Sequence, residues 1–259
     1  ADWINHFLDL NLSREDMKTI LRKLDCEFDG DDILVPTFRP DLVHKADIAE
    51  EIARFYGYNK IPGTNIGGGA QGKYTPWQQF VRTINDTMLA LGASEIMTYS
   101  FISPKYYDKI LMPADSPLRK SITISNPLGE DTSIMRTTTL PSMLEVLSRN
   151  YNNRNESACL FELAKEYIPT TEDKLPIEKN KLIVGMYGNN SNFYTVKGMA
   201  EQILEKLCVY DYDISATSSE NSYHPGRCAV LSIDGKELGV IGEIHPKVSE
   251  NYNIGERVY

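Results

Sequence analysis

Apolar residues recur at helical spacing in several stretches of the chain. The spacing predicts amphipathic helices over residues 13–24, 77–91 and 193–207, and a further helix that follows Pro141. Ser13 precedes acidic residues in the first helix, as is typical of an N-cap, and Gly92 follows the second helix, as is typical of a C-terminal stop. These helices are long enough to cover a sheet.

Alternating apolar and polar residues predict the strands. We expect strands over residues 95–101, 158–167 and 181–188, and a hairpin over 228–244 that turns at Asp234 and Gly235. A shorter hairpin or wing is expected over residues 26–36, where DGDD forms the turn. The predicted fold class is α+β, with a winged-helix-like first module and an antiparallel sheet flanked by helices in the second.

The glycine-rich segment 63–72 divides these two modules, with five glycines in ten residues. A phosphate-binding loop would need a strand before it and a Lys-Ser/Thr pair that opens a helix after it, and neither pattern is present. We therefore predict a first module over residues 1–65, a linker over 66–74 and a second module over 75–259 that is truncated at its C-terminal end.

Composition and charge bear on the binding partners and the compartment of the chain. The 259 residues are 41% apolar and carry a formal net charge of −9, so non-specific binding to a polyanion is disfavoured. Four cysteines lie far apart, without metal-type spacing, and are interpreted as free cytoplasmic thiols. No signal peptide or apolar run of about 18 residues is present, so we expect no membrane segment. We interpret the chain as part of a longer protein.

Four acids lie close together in the stretch 35–62: Asp41, Asp47, Glu50 and Glu51. Ile48, Ile52 and Phe55 predict the buried stripe of a helix from about Asp47 to Gly57. The acids fit two explanations. Asp47 as N-cap, Glu50 at N3 and an ion pair from Glu50 to Arg54 would be ordinary helix chemistry, whereas clustered carboxylates also suit Mg²⁺. Spacing alone favours helix capping.

The sequence FRPDLVHKADIAEEIARFYGYNKIP, residues 38–62, resembles the signature of a domain in the β subunit of phenylalanine–tRNA ligases. The resemblance implies that Asp41, Asp47, Glu50 and Glu51 hold Mg²⁺ in a site shared with a catalytic α subunit. It also implies a heterotetramer of two α and two β subunits that binds tRNA(Phe) and makes phenylalanyl-adenylate in the α subunit.

The second module resembles the catalytic fold of class II synthetases, but arginines are missing where that family grips ATP. The strand over residues 158–167 carries Glu162, and the strand over 238–246 carries Glu243 and His245 in place of the arginine. We therefore expect a catalytically inert module. Its remnant pocket is predicted to involve Arg136, Glu162, His224 and Arg227.

Two other functions remain open from the residues. One is a self-sufficient Mg²⁺-dependent ligase or nucleotidyl transferase that uses the four acids. The other is a winged-helix nucleic-acid-binding module fused to an α+β domain. ATP turnover would distinguish the first, and salt-sensitive binding to duplex DNA would distinguish the second.

Overall fold

The structure is a computed structural model that describes residues 1–61, 63, 71–171, 174–188 and 191–259. The chain forms two compact units, Ala1–Gly72 and Lys73–Tyr259. Residues 66–70 of the predicted linker lie outside the described residues, so the linker stays a prediction.

In its described residues the first unit combines three α-helices, a short 3₁₀ helix (Tyr58–Lys60) and one small hairpin. Its elements are α1 (Asp2–Leu8), α2 (Arg14–Arg22), β1 (Glu27–Asp29), β2 (Asp32–Leu34) and α3 (Lys45–Tyr56). Ser13 caps α2 as predicted, because its hydroxyl accepts from the Asp16 N–H at 3.1 Å. The wing is confirmed as well, since β1 and β2 pair in antiparallel fashion.

The core of the first unit lies between α2, α3 and the segment that precedes α3. Leu21 and Ile52 are almost fully buried there. The predicted apolar stripe of α3 is wrong at Phe55, which is 39% exposed, whereas Ala49 and Ala53 are buried in its place. The small alanine side chains let α3 approach its neighbours closely, and Phe55 instead lies under the Arg54 guanidinium, 4.5 Å from the ring centre.

The second unit alternates helices and strands. Its elements are α4 (Pro76–Ala90), β3 (Ser94–Glu95), β4 (Phe101–Ile102), α5 (Tyr106–Lys109), β5 (Ile134–Met135), α6 (Leu140–Asn152), β6 (Ala158–Ile168), β7 (Ile177–Tyr187), α7 (Phe193–Lys206), β8 (Asp213–Ala216), β9 (Tyr223–Ile233), β10 (Lys236–Ile244) and α8 (Pro246–Asn251). The sequence analysis did not predict α5, β5, β8 or α8.

The long strands form two three-stranded sheets, in the orders β3-β6-β7 and β10-β9-β8. Pairing is antiparallel as expected, except that β3 runs parallel to β6. The predicted hairpin turn is confirmed at Asp234 and Gly235, whose φ angles of 51° and 70° suit the tight turn between β9 and β10.

The last residues of the chain lie between these two sheets. Tyr259 exchanges two backbone hydrogen bonds with Met186 of β7, at 2.8 and 2.9 Å, and the Ile244 N–H of β10 donates to the Val258 carbonyl at 2.7 Å. The two sheets are therefore linked through residues 258–259.

The predicted strand over residues 95–101 is wrong as one element. Only its two ends pair, β3 with β6 and β4 with β5. Ile96 and Ser100 still make backbone hydrogen bonds, to Phe161 and Arg136. At Thr98 and Tyr99, however, the backbone bonds to side chains: Glu162 accepts from the Thr98 N–H at 3.0 Å, and Arg136 donates to the Tyr99 carbonyl at 3.4 Å. A buried ion pair thus interrupts the ladder.

Helix α6 packs closely on β7 at Gly185. A Cβ atom at this glycine would lie 2.7 Å from Met143 Cγ and 2.8 Å from Leu147 Cδ1. Glycine therefore sets the distance between α6 and the sheet. None of the helices in the described ranges combines the length and apolar character needed to cross a membrane.

Candidate functional site: an acidic flank and two arginine–carboxylate clusters

Arg39 joins two of the four predicted metal ligands. Its Nε donates to Asp41 Oδ1 at 3.0 Å, and its Nη2 donates to Asp41 Oδ2 at 2.7 Å and to Glu51 Oε1 at 2.8 Å. Arg54 binds the other oxygen of Glu51 through Nε at 3.1 Å and through a shorter contact from Nη2. Asp41 and Glu51 are therefore neutralised by two guanidinium groups.

The other two acids, Asp47 and Glu50, do not pair with these arginines. Asp47 Oδ2 accepts from the Val43 N–H at 2.9 Å and from the His44 N–H at 2.6 Å. The N-cap of α3 is His44 and its N3 residue is Asp47, so the expectation that Asp47 is the N-cap and Glu50 the N3 residue is wrong by three positions. Glu50 is exposed, and among the described residues it has no hydrogen-bond or ion-pair partner. Arg54 pairs with Glu51 rather than Glu50, because Glu51 points towards Arg39 and the core.

The arginines change the acidity of both carboxyl groups. The hydrogen bond from Arg39 lowers the pKa of Asp41. Burial would raise the pKa of Glu51, but hydrogen bonds from Arg39 and Arg54 outweigh it, so the pKa of Glu51 is lowered as well. Both carboxylates are held in their charged form.

This arrangement does not fit a metal ion held by this chain alone. Within the described ranges, no group of three or more His, Cys, Asp or Glu side chains is placed to hold a metal ion. Mg²⁺ requires near-octahedral oxygen ligands, whereas the oxygens of Asp41 and Glu51 face guanidinium groups and Asp47 faces backbone N–H groups.

Arg136 and Glu162, two predicted pocket residues, meet in a buried polar cluster of the second unit. Arg136 is 2% exposed, and its Nη2 lies 3.5 Å from Glu162 Oε1. Its guanidinium also donates to Thr98 Oγ1 at 2.7 Å, to the Lys165 carbonyl at 2.9 Å and to Ser142 Oγ at 3.2 Å. Arg136 thus ties α6, β6 and the segment between β3 and β4 together.

Glu166 lies on the same face of β6 as Glu162 and is also buried. It accepts from the Thr139 N–H at 3.1 Å. Burial raises the pKa of Glu166 despite this hydrogen bond and the more distant charges of Lys181 and Arg136. The sequence analysis did not identify Glu166 as a site residue, although its i+4 spacing from Glu162 places both on one strand face.

His224 and Arg227, the other two predicted pocket residues, lie on β9. Both Glu243 oxygens accept from Arg227 Nη1 at 2.8 Å, and Glu243 Oε2 also accepts from the Tyr259 hydroxyl at 3.1 Å. His224 Nδ1 accepts from the Gly226 N–H at 3.0 Å, within its own turn. In the described parts of the chain, no hydrogen bond or ion pair joins this cluster to Arg136 and Glu162.

Two cavities of the second unit lie elsewhere. A gap of about 40 Å³ lies under α6 beside Gly185 and Gly242, and an open groove of about 1000 Å³ is lined by residues that include Gly92, Cys159 and Tyr194. None of the four predicted pocket residues lines either cavity. The four residues lie in two ion-paired clusters, and the remnant pocket stays a prediction.

The sequence and the fold both have known relatives. Residues 61–259 match the family described as phenylalanyl tRNA synthetase beta chain CLM domain, and residues 1–58 match the tRNA synthetase B5 domain. The chain is 46% identical to the phenylalanine–tRNA ligase beta subunit of Clostridium acetobutylicum and 45% identical to that of Clostridium tetani. All of this chain is covered in both comparisons, but only 33% of each relative, so the chain spans about a third of their length.

The solved structures that resemble it include pyrrolysyl-tRNA synthetase from Desulfitobacterium hafniense. Two structures of that enzyme match with TM-scores of 0.57 and 0.58 over 95% of this chain, and they cover 82% and 85% of the matched chains. Sequence identity is 12%, so this likeness concerns the fold alone. It supports the expected class II synthetase-like α+β architecture.

Proposed function

Because the chain belongs to the family of phenylalanyl-tRNA synthetase β chains, as its resemblance in residues 38–62 suggested, we propose that it is a non-catalytic part of that subunit. It supports ATP-dependent attachment of phenylalanine to tRNA(Phe) by assembling with a catalytic α subunit. The full proposal is a cytoplasmic heterotetramer of two α and two β subunits that binds tRNA(Phe).

The observation that carries the non-catalytic role is the position of three buried carboxylates. Glu162 and Glu166 lie on β6, and Glu243 lies on β10. Transfer of a phosphoryl or nucleotidyl group needs positive groups that bind the triphosphate and stabilise its developing charge. Neither strand carries an arginine. The arginines that reach these strands, Arg136 and Arg227, are already paired with Glu162 and Glu243. We assign adenylate formation to the partner subunit for this reason.

Exposed aromatic and apolar side chains support the partner. The rings of Trp77 and Phe80 on α4 stack, with their centroids 5.4 Å apart, and the two residues are 51% and 39% exposed. Met97 and Tyr99 are 95% and 83% exposed. Aromatic residues and methionine are enriched at protein–protein interfaces. The predicted apolar face of α4 therefore has two parts: Ile84 and Met88 bury in the core, and Trp77 and Phe80 are free for a second chain.

The magnesium part of the proposal requires the partner. Asp41, Asp47, Glu50 and Glu51 do not converge in the first unit, so an ion on this flank would need oxygen ligands from the α subunit and from water. Titration of Mg²⁺ into the isolated chain and into an α-containing complex tests this. Tight binding to the isolated chain would contradict a shared site.

Co-purification with a catalytic α subunit tests the assembly. We expect a stable complex, and we expect Trp77→Ala with Phe80→Ala to weaken it by at least about tenfold, since buried aromatic residues often contribute 2 kcal/mol or more at an interface. Trp3→Ala is the matched control, because Trp3 is an exposed aromatic residue of the first unit that is 42% exposed. Unchanged affinity in the double variant would remove α4 from the interface.

Phenylalanine-dependent pyrophosphate exchange tests the division of labour. We expect exchange by the complex and none by the chain alone. Exchange by the chain alone at the rate of the complex would favour the self-sufficient ligase, and salt-sensitive affinity for duplex DNA would favour the nucleic-acid-binding module.

A further inference from the structure

Arg39 places a positive charge of the protein itself against two of the four acids. Arg39 contacts both oxygens of Asp41 and one oxygen of Glu51, at distances of 2.7 to 3.3 Å. Its side chain is 21% exposed, and that of Glu51 is 10% exposed. The guanidinium therefore lies where a cation shared by these two carboxylates would have to lie.

The group formed by Arg39, Arg54, Asp41 and Glu51 is also electrically balanced, whereas Asp47 and Glu50 add two further negative charges to the flank. Arg39 and Arg54 contribute two positive charges, and Asp41 and Glu51 contribute two negative charges. A divalent ion that bound both carboxylates would have to displace Arg39 and leave its charge without a partner. Mg²⁺ also gives up its water reluctantly, so this exchange is unfavourable in the isolated chain.

Arg39 also holds the segment before α3 against that helix. It precedes α3, and its bond to Glu51 spans twelve residues, so it fastens the segment that contains Asp41 onto the helix. We propose that Arg39 is the resident cation of the acidic flank, that the first unit folds without Mg²⁺, and that Arg39 sets the low affinity of these acids for divalent ions.

Calorimetric titration and thermal unfolding of the 259-residue chain test this proposal. We expect the wild-type unfolding temperature to be the same in EDTA and in millimolar Mg²⁺. Arg39→Met should bind Mg²⁺ about tenfold more tightly than wild type and should gain stability from it, because hydrogen bonds between charged groups no longer compete for the carboxylates.

Arg14→Met is the matched control. Arg14 lies in the same unit and pairs with Asp31, away from the four acids, so its removal should leave Mg²⁺ affinity unchanged. Equal Mg²⁺ affinity of wild type and Arg39→Met would overturn the proposal. Loss of wild-type stability in EDTA would overturn it as well.

Arg39→Lys covers the case in which Arg39→Met does not fold. Lysine keeps the charge but cannot contact both carboxylates with a planar fork, so an intermediate Mg²⁺ affinity is expected. Affinity of Arg39→Lys as tight as that of Arg39→Met would contradict the proposal, because the retained charge would then have no effect on Mg²⁺ binding. These measurements use the chain alone, so they are independent of the assembly with a catalytic subunit and can fail separately from it.

Discussion

The Arg39 cluster of the first unit and the Arg136 cluster of the second unit differ in burial and in reach along the chain. Arg39 is partly exposed, and its partners lie within twelve residues. Arg136 is 2% exposed, and its partners Glu162, Lys165 and Thr98 lie 26, 29 and 38 residues away. The first cluster fastens one local segment, whereas the second connects three parts of a core.

The comparison indicates that the contribution of an ion pair to stability depends on its burial. An exposed pair gains little, because water solvates each partner well when the pair breaks. A buried pair is costly to break from one side, because the remaining charge has no water to replace its partner. Four substitutions or conditions test the comparison, from the largest expected effect to the smallest.

Arg136→Met should lower the free energy of unfolding of the second unit by about 3–5 kcal/mol, because it leaves Glu162 charged and buried. Denaturant unfolding measures the loss. Adding Glu162→Gln to Arg136→Met should recover part of it, since the remaining side chain is then neutral. A loss below about 1 kcal/mol would show that the Arg136 cluster behaves like a surface pair.

Glu243→Gln should have an intermediate effect of about 1–3 kcal/mol. Glu243 is 3% exposed, but the side chain of its partner Arg227 is 43% exposed and can turn to water. Glutamine also keeps an acceptor for the Tyr259 hydroxyl. Arg227→Met is the comparison variant, and it should cost more than Glu243→Gln because it leaves the buried carboxylate charged. The opposite order would contradict this account of burial.

Arg54→Met should cost at most about 1 kcal/mol, because the Arg54 side chain is 49% exposed and Arg39 remains on Glu51. The difference from wild type should shrink at high salt, as screening weakens the pair. Unfolding in low and high salt measures both effects. A salt-independent loss comparable to that of Arg136→Met would remove the distinction between the two clusters.

The contribution of Asp41 and Glu51 to stability should change with pH in the opposite direction to that of Glu166. The pKa values of Asp41 and Glu51 are lowered in the folded state, so their stabilising contribution is present above the unfolded values and is lost as pH falls below about 4. The pKa of Glu166 is raised by burial, so folding is penalised increasingly as pH rises above the unfolded value of about 4.

Glu166→Gln isolates the second response. Its stability relative to wild type should increase as pH rises from 4 through the raised pKa of Glu166 and should then level off. Unfolding curves measured across this range provide the test. A difference from wild type that does not change with pH would contradict the raised pKa.

Local patterns were sufficient for most helices and hairpins. Ser13 marked the start of α2, and Asp234 with Gly235 marked the turn between β9 and β10, because capping and turn geometry depend on residues a few positions apart. The pattern failed at residues 95–101, where the bonds of Thr98 to Arg136 and Glu162 cannot be inferred from neighbours in the sequence.

The candidate sites show the same limit. The sequence placed four acids on and before one helix, but it did not show that Arg39 and Arg54 neutralise two of them, because side-chain direction depends on how the segment before α3 packs. It named Arg136, Glu162, His224 and Arg227 as pocket residues, but it did not name the buried Glu166 or Glu243.

The sequence by itself determined most of the helices, the two hairpins, the family signature in residues 38–62 and the lack of arginine on β6 and β10. These features depend on short-range periodicity and on residue identity. Only the tertiary structure decided which charges meet, because partners such as Arg136 and Thr98, or Glu243 and Arg227, are brought together by strand pairing and helix packing over many residues. Burial then fixes the energy of each pair, since the cost of separating charges rises as water is excluded.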